Sequence, residues 1–251
     1  MKTIYKKMIE TTLLASGLIL LTACGGGGSS KVPDTNTTVP DTNTTVPEPT
    51  SITHNGTTYG FVTSPHTGKI WLDRNLGASR VCEQFDDSAC YGDYYQWGRA
   101  FDGHQDSTSG TSTMQTNNVF DSGTNGFIVS HLDWASVDTS GATRSDIWSR
   151  TDGTSVCPSG FRVPTSPEAL AETVDAGITN TTAAFDSFLK LPSTGNRRYT
   201  DGALIADGVR GYMWTSSLSG NSSLRIRFTN TAITSGVLGR GYGEPVRCIK
   251  N

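Results

Sequence analysis

Cysteine spacing is the feature that most restricts what this chain can fold into. The chain has five cysteines, and one of them, Cys24, closes a segment typical of an export signal. The other four make an even set in a chain expected to leave the reducing cytoplasm, so we predict disulfide bonds. Zinc is the alternative use of such a set, but the spacings match no zinc finger and no paired CxxC motif. The four are Cys82, Cys90, Cys157 and Cys248.

Four cysteines allow three pairings, and the spacing favours one of them. Cys82 and Cys90 bracket the short polar segment EQFDDSA, which suits a local bridge. Cys157 and Cys248 then join the middle of the domain to its last predicted strand. Terminal strands are where fraying starts. A bridge that closes a loop of roughly 90 residues contributes on the order of 4 kcal/mol in the chain-entropy model.

The first 23 residues have the layout of a secretory signal. Lysines precede an apolar run from Leu13 to Leu21 that is too short to span a bilayer. The tetrapeptide LTAC, which ends at Cys24, resembles the bacterial lipobox, whose cysteine is lipidated and becomes the first mature residue. The alternative is an ordinary signal cleaved nearby, with Cys24 incidental. We therefore predict residues 1–23 as a lipoprotein signal peptide and Cys24 as the lipidation site.

Lipidation of Cys24 predicts the membrane as a partner, reached through acyl chains such as palmitate. Two or more acyl chains make such anchoring stable without a membrane-spanning helix. Gly25 follows the cysteine where aspartate would retain the protein at the inner membrane. The expected location is therefore the bacterial cell envelope, as an outer-membrane lipoprotein. Whether the protein faces the cell exterior stays open.

Residues 24–50 are predicted to form a stalk. The heptapeptide VPDTNTT begins at Val32 and again at Val39, after a run of glycines. The segment has too little apolar surface to form a core, while its glycines favour flexibility and its prolines favour extension. Asn36 and Asn43 fit the N-x-S/T acceptor and are possible glycosylation sites. The alternative is a low-complexity repeat that contains this triplet by chance.

Residues 51–251 are long enough for one domain with a substantial core. The formal net charge of the chain is −3 and no basic stripe is present, so we predict no nucleic-acid partner. The 28 glycines and the low share of charged residues indicate a loop-rich domain rather than a helical bundle. The expected class is α+β, with two helices, short twisted antiparallel strands and two disulfides.

Hydrophobic patterning predicts where those elements lie. One helix is expected in TSPEALAETVDAG, capped at Thr165 or Ser166 and ended by Gly177. A second is expected in NTTAAFDSFLKLP, stopped by Pro192. Residues 102–155 are predicted to be irregular, with a few aromatic residues in the core. Strands are expected at Tyr59–Val62, Lys69–Leu72, Tyr94–Trp97, Tyr212–Thr215, Leu224–Phe228 and Val246–Ile249.

The sequence LRIRF predicts a half-buried strand. Leu224, Ile226 and Phe228 alternate with Arg225 and Arg227. In a sheet with one solvated face, such alternation places the apolar side chains in the core and the arginines in solvent.

Five motifs occur in a fixed order and carry a family resemblance. Together they resemble the Fibrobacter succinogenes major paralogous domain. This resemblance implies a C-type-lectin-like fold, related to formylglycine-generating enzymes and to the variable proteins of diversity-generating retroelements. It covers nearly everything after the stalk. The motifs are IWLDRNLGA (70–78), YGDYYQWGRA (91–100), CPSGFRVPT (157–165), GYMWTSS (211–217) and PVRCIK (245–250).

The resemblance implies a surface domain that binds a protein or a glycan. In retroelement variable proteins, exposed residues of the last strands and loops form the ligand face on a constant scaffold. Here the corresponding segment is rich in small polar residues and arginine, which suits an adaptable polar contact surface. The alternative places the aromatic residues in the core and the arginines on an ordinary solvated strand face. The candidate ligand-binding residues are Tyr212, Trp214, Asn221, Ser223, Arg225, Arg227, Asn230 and Tyr242.

Other functions receive less support from the sequence. Calcium-dependent lectins use a Glu-Pro-Asn-like loop and a Trp-Asn-Asp strand, whereas Glu244-Pro245 is followed by valine and no Trp-Asn-Asp follows. We therefore predict that this dipeptide enters a strand and holds no metal. The oxygens and imidazole of DGHQD (102–106) are expected to be solvated. The remaining alternatives are a structural envelope protein without a ligand, a retroelement-diversified receptor, and an enzyme of the formylglycine-generating type.

An enzyme is the weakest of these readings. Formylglycine-generating enzymes need a reactive cysteine pair, and the cysteines here are better explained as two bridges. No GxSxG or HExxH motif is present, and the histidines show no metal-ligand spacing. We therefore predict no catalytic residues, no cofactor and no metal.

Overall fold

A computed structural model describes residues 49–251. This part of the chain is α+β, with many short strands and three α-helices. The predicted signal, Cys24, the stalk and Asn36 and Asn43 lie outside the described residues. Within 49–251, no helix is long and apolar enough to cross a membrane. The strands are β1 (Ser51–His54), β2 (Thr57–Thr63), β3 (Ile70–Leu72), β4 (Tyr95–Gln96), β5 (Thr111–Ser112), β6 (Phe127–Ile128), β7 (Phe161–Arg162), β8 (Asn196–Arg197), β9 (Leu204–Ile205), β10 (Gly211–Ser219), β11 (Ser222–Phe228), β12 (Ile233–Leu238), β13 (Gly243–Glu244) and β14 (Ile249–Lys250).

Two of the helices lie where the sequence predicts them, and both are shorter than expected. The helices are α1 (Ala142–Ser149), α2 (Ser166–Ala171) and α3 (Thr181–Asp186), with one 3₁₀ turn at Ser88–Cys90. Helix α2 has the predicted capping box, in which Thr165 accepts from the Glu168 N–H and the Glu168 carboxylate accepts from the Thr165 N–H. It ends at Ala171 rather than at Gly177, and α3 ends well before Pro192.

Helix α1 corrects the prediction that residues 102–155 are irregular throughout. The helix follows Gly141, which has a left-handed φ of 79° and provides no side-chain cap. Asp138 provides the cap from outside the helix, because its carboxylate accepts from the N–H groups of Thr143 and Arg144. The usual sequence signal of a helix start is a capping residue directly before the first helical residue. Asp138 lies further upstream, so the sequence does not show this signal at α1.

The largest sheet is built around the end of the described chain. Its strand order is β1-β2-β3-β14-β7, so β14 lies between β3 and β7, with Ile249 opposite Trp71 and Arg162. The predicted strand at Val246–Ile249 is observed only from Ile249, although the Cys248 carbonyl accepts from the Leu72 N–H at 3.0 Å. Residues 246–248 therefore lie along the sheet but do not form the regular hydrogen bonds of a strand.

Three smaller sheets complete the fold. The strands β10, β11 and β12 form an antiparallel meander, in which Tyr212 lies opposite Arg227 and Trp214 opposite Arg225. A second sheet has the order β4-β13-β8-β9. The strands β5 and β6 form a parallel pair, which corrects the expectation of antiparallel strands only.

Both predicted disulfides are present. Cys82 pairs with Cys90 at a Cα–Cα distance of 5.0 Å, and Cys157 pairs with Cys248 at 5.9 Å. The second bridge joins residues 91 apart in sequence. It ties β14 to the segment just before β7, so it reinforces the centre of the largest sheet.

The core combines tryptophan rings with buried arginines. Trp97, Trp134 and Trp214 are each fully buried. Arg144 is also fully buried, and its guanidinium lies 5.8 Å from the centre of the Trp97 ring and 5.3 Å from that of Trp134. Stacking of this kind adds cation–π attraction to the packing. Gly98 permits it, because a Cβ atom there would lie 2.5 Å from the Arg144 side chain.

Candidate functional site

The two aromatic residues of the predicted ligand face on β10 are buried. Trp214 is fully buried, and its indole N–H donates to the Tyr95 carbonyl at 2.8 Å. Tyr212 is 6% exposed, with the Arg225 guanidinium 4.6 Å from its ring centre. The structure therefore places Trp214 in the core and Tyr212 beneath an arginine, and neither ring forms an open contact surface.

Ser223 and Arg225 are also occupied within the protein. Ser223 is buried, and its hydroxyl accepts from the Arg240 guanidinium at 3.2 Å. Arg225 forms an ion pair with Glu244. This corrects the prediction that Arg225 points into solvent and that Leu224 is buried, since Leu224 is only half-buried.

Glu244 ends β13, which corrects the expectation that Glu244-Pro245 enters a strand. The carboxyl group is fully buried, and Asn196 donates to it at 3.3 Å. Burial raises the pKa of Glu244, and the ion pair with Arg225 opposes that rise. Glu244 therefore neutralises Arg225. Among residues 49–251, no group of three or more His, Cys, Asp or Glu side chains is arranged to hold a metal.

The predicted polar loop DGHQD is part of the core rather than solvated throughout. His104 is fully buried, its Nδ1 lies 2.6 Å from the Asp102 carboxylate, and its Nε2 accepts from the Gln96 N–H at 3.0 Å. Burial lowers the pKa of His104 to about 4, although Asp102 opposes the shift. The neutral imidazole thus has both ring nitrogens in structural hydrogen bonds.

A groove of about 370 Å³ lies beside the β10–β11 pair. We call it the arginine groove. Arg227 and Asn230, two of the predicted ligand residues, line it. Arg210 immediately precedes β10. Extending the antiparallel register back from the Gly211–Phe228 pair places Arg210 opposite Thr229, diagonal to Arg227 on the same face of the sheet. The groove is lined by Val209, Arg210, Arg227, Thr229, Asn230 and Thr231.

The two arginines of this groove differ from all others in the described chain. In residues 49–251, neither the Arg210 nor the Arg227 guanidinium has a hydrogen bond or an ion-pair partner. Every other arginine in this range donates to a carboxylate, a carbonyl or an amide oxygen. Guanidinium groups present several donors in a planar fork that matches carboxylate and phosphate oxygens. The arginine groove therefore contains two guanidinium groups whose donors the described protein does not use.

The polar residues of the arginine groove belong to a tight turn. The Thr229 hydroxyl accepts from the N–H groups of Thr231 and Ala232, at 3.3 and 3.1 Å. This turn fixes the backbone on one side of the groove, while Asn230 stays exposed. Hydroxyl and amide groups beside two arginines add further hydrogen-bonding capacity for a polar ligand.

Two predicted ligand residues lie outside the lining of the arginine groove. Asn221 is exposed at the β10–β11 turn. Tyr242 is half-buried, and its ring packs against Tyr199 with ring centres 5.0 Å apart. The structure thus brings together two of the candidates and adds Arg210, which the sequence analysis missed. The strand register carries the signal for Arg210, because it places Arg210 opposite Thr229 and on the same face of the sheet as Arg227.

Comparison with known proteins adds no relative: no family model matches this chain, and neither a curated protein nor a solved structure shows significant similarity to it.

Proposed function

We propose that this chain is an exported, lipid-anchored envelope protein whose domain binds the anionic group of a protein or glycan partner. The observation that carries the proposal is the pair of unpartnered arginines, Arg210 and Arg227, in one groove. An arginine held without a counter-charge has its donors available for a ligand, and desolvated arginine–anion pairs are among the stronger polar contacts in interfaces.

The family and fold parts of the proposal are supported by the sequence motifs. The five ordered motifs resemble the Fibrobacter succinogenes major paralogous domain, and we propose a C-type-lectin-like fold on that basis. The observed α+β class and the two disulfides are compatible with it. The arginine groove then lies in the same C-terminal segment that forms the ligand face in retroelement variable proteins.

Anchoring is supported by the LTAC tetrapeptide that ends at Cys24. Fatty-acid labelling of cells checks it directly. The wild-type chain is expected to take up the label and to fractionate with membranes. Cys24→Ser is expected to lose both properties, and label retained by that variant would exclude lipidation at this residue.

Binding is tested with the purified full-length chain and two polyanions, polygalacturonate as a glycan and polyglutamate as a peptide. The test variant is the double substitution Arg210→Gln and Arg227→Gln. We expect it to lose affinity about tenfold or more, since two charge-assisted contacts disappear. Its free energy of unfolding is expected to change by less than about 0.5 kcal/mol, because surface substitutions without partners have small effects.

The matched control removes two charges elsewhere. Arg150 and Arg198 are partly exposed and form local ion pairs with Asp146 and Asp201. The double substitution Arg150→Gln and Arg198→Gln changes net charge equally and should leave binding intact. Equal loss in both doubles would indicate unspecific charge attraction. Failure of the wild-type chain to bind either polyanion would favour a structural envelope protein.

A further inference from the structure

A second groove is formed by β5 and the loop that follows it, residues 112–124. This segment is distant in sequence from the arginine groove. Its volume is about 670 Å³, within the range of sites that accept small-molecule ligands. We call it the amide groove, because planar amides and hydroxyl groups dominate its lining. The residues that matter for recognition are Ser112, Met114, Gln115, Asn117, Asn118 and Asp121.

The amide groove has a rigid frame. The fully buried Arg99 donates to the Ser122 hydroxyl at 2.7 Å and to the Thr124 carbonyl at 2.6 Å, and both residues line the groove. Val119 is buried in a small cluster with Trp134, on the other side of the same loop. A ligand that enters this groove therefore meets a shape fixed before binding, which lowers the entropy cost of association.

The amide side chains use only part of their hydrogen-bonding capacity to hold the loop. The Asn118 oxygen accepts from the Phe120 N–H at 3.0 Å, and the Gln115 nitrogen donates to the Asp133 carbonyl at 2.8 Å. Within residues 49–251, the Asn118 nitrogen, the Gln115 oxygen and both polar atoms of Asn117 have no partner in the protein. The groove thus offers both donors and acceptors, and the loop already sets the orientation of the Gln115 and Asn118 amides.

The charge of the amide groove excludes one ligand class. Among residues 49–251, Asp121 is the only charged residue that lines the groove. One Asp121 oxygen accepts from the Gly123 N–H at 2.9 Å. An anionic ligand would meet this carboxylate without a compensating cation, whereas a neutral ligand would not, so anionic ligands are disfavoured.

One large apolar side chain accompanies these polar groups. Met114 lines the groove and is 77% exposed. A thioether side chain in this position can cover the C–H surface of a sugar ring while the amides bond its hydroxyls. Each sugar hydroxyl both donates and accepts, as the amides require.

Peptide ligands fit this groove less well. Peptides are usually bound by addition to a sheet edge, by an apolar groove for a helix, or by an aromatic groove for a proline-rich segment. The strand that borders the groove, β5, spans only Thr111–Ser112. Its edge is too short for strand addition, and the lining is mostly polar.

We propose that the amide groove binds a neutral carbohydrate, separately from the anionic group assigned to the arginine groove. Asn117, Asn118 and Gln115 hydrogen-bond the sugar hydroxyls, while Met114 contacts the ring. The proposal does not depend on the arginine groove, because the two sites share no lining residue.

The first experiment presents the purified full-length chain to an array of neutral gluco-, manno-, xylo- and galacto-oligosaccharides. The strongest hit is then titrated by calorimetry. We expect the double substitution Asn117→Ala and Met114→Ala to weaken binding about tenfold or more. Both side chains are exposed and Asn117 makes no bond in the described chain, so the fold should be retained.

A second variant tests the donor of Asn118. Asn118→Asp keeps an oxygen for the Phe120 N–H but replaces the free NH₂ group, so the loop is preserved and one donor is lost. We expect binding to weaken several-fold without a change in the unfolding midpoint. Phe101→Ala is the matched control, since Phe101 is 49% exposed and lies outside the groove.

Each outcome bears on the proposal. Retained binding in Phe101→Ala and in the Arg210/Arg227 double, with loss in the groove variants, supports a carbohydrate site. No neutral oligosaccharide bound by the wild-type chain above the array background would overturn it. Binding that survives the Asn117/Met114 double would also overturn it, and so would the discovery that the groove variants lose only peptide binding.

Discussion

The buried arginines of the core and the arginines of the groove are the same residue type in opposite surroundings. Arg144 is fully buried and pairs with Asp133 and Asp138, and its charge is used to hold α1 and its preceding loop in place. Arg210 and Arg227 have no partner in residues 49–251 and line a groove. The difference shows that a charged side chain is informative about function when the fold does not use it.

Removal of Arg144 is expected to have the largest effect on stability. Arg144→Met keeps most of the volume but removes the cation beside Asp138, while Asp133 keeps a contact with Arg240 at 3.3 Å. Breaking a buried pair costs about 3–5 kcal/mol. The remaining Arg240 contact and the partial exposure of Asp133 place the expected loss at about 3 kcal/mol. Urea unfolding measures it.

Arg150→Met is the control for Arg144→Met. Arg150 forms an exposed ion pair with Asp146 one helical turn away, and such pairs contribute about 0.5 kcal/mol or less. If both variants lost the same stability, the buried arginines would have no special role in holding the loops.

Arg225 is expected to have an intermediate effect. Arg225→Met leaves the buried Glu244 carboxylate without its cation. Because burial raises the pKa of Glu244, the carboxyl can take up a proton instead of staying charged, and the expected loss is about 2 kcal/mol. Adding Glu244→Gln removes the unpaired charge, so the double variant should be more stable than the sum of the single losses predicts. A double-mutant cycle in urea measures this coupling, and simple additivity would contradict it.

Glu168 is expected to have the smallest effect, and that effect depends on pH. Burial alone would raise its pKa, but Arg162 and Thr165 lower it from 4.5 to about 2. Because the folded-state pKa lies below the unfolded value, the stabilisation is complete above about pH 4.5. It is lost as the pH falls towards about 2.

The Glu168 effect is measured as a difference between wild type and Glu168→Gln. The thermal midpoint difference should stay constant above pH 5 and shrink between about pH 4.5 and 2. A difference that does not change over this interval would show that the Arg162–Glu168 pair does not stabilise the cap of α2.

Local signals in the sequence predicted the features that depend on neighbouring residues. The capping box of α2 lies within four residues, and the strands of the Tyr212–Phe228 hairpin are close in sequence. The two disulfides followed from an even cysteine count together with one short and one long spacing.

Features that depend on distant partners were not predictable in this way. The alternation in LRIRF predicts that Arg225 faces solvent. In the structure, Glu244 at the end of β13 forms an ion pair with Arg225. Likewise, the cap of α1 comes from Asp138, outside the helix. Which arginines of residues 49–251 lack a partner depends on contacts between distant segments, so no local pattern in the sequence identifies the arginine groove.

The position of β14 has a consequence for the order of folding. Strands β3 and β7 become neighbours only when β14 fills the gap between them. A ribosome delivers β14 after every other described strand, so the largest sheet cannot close before β14 has emerged. Until then β7 has no partner in that sheet, while β1, β2 and β3 already pair with one another. Closure of this sheet therefore depends on contacts that are distant in sequence, which form slowly.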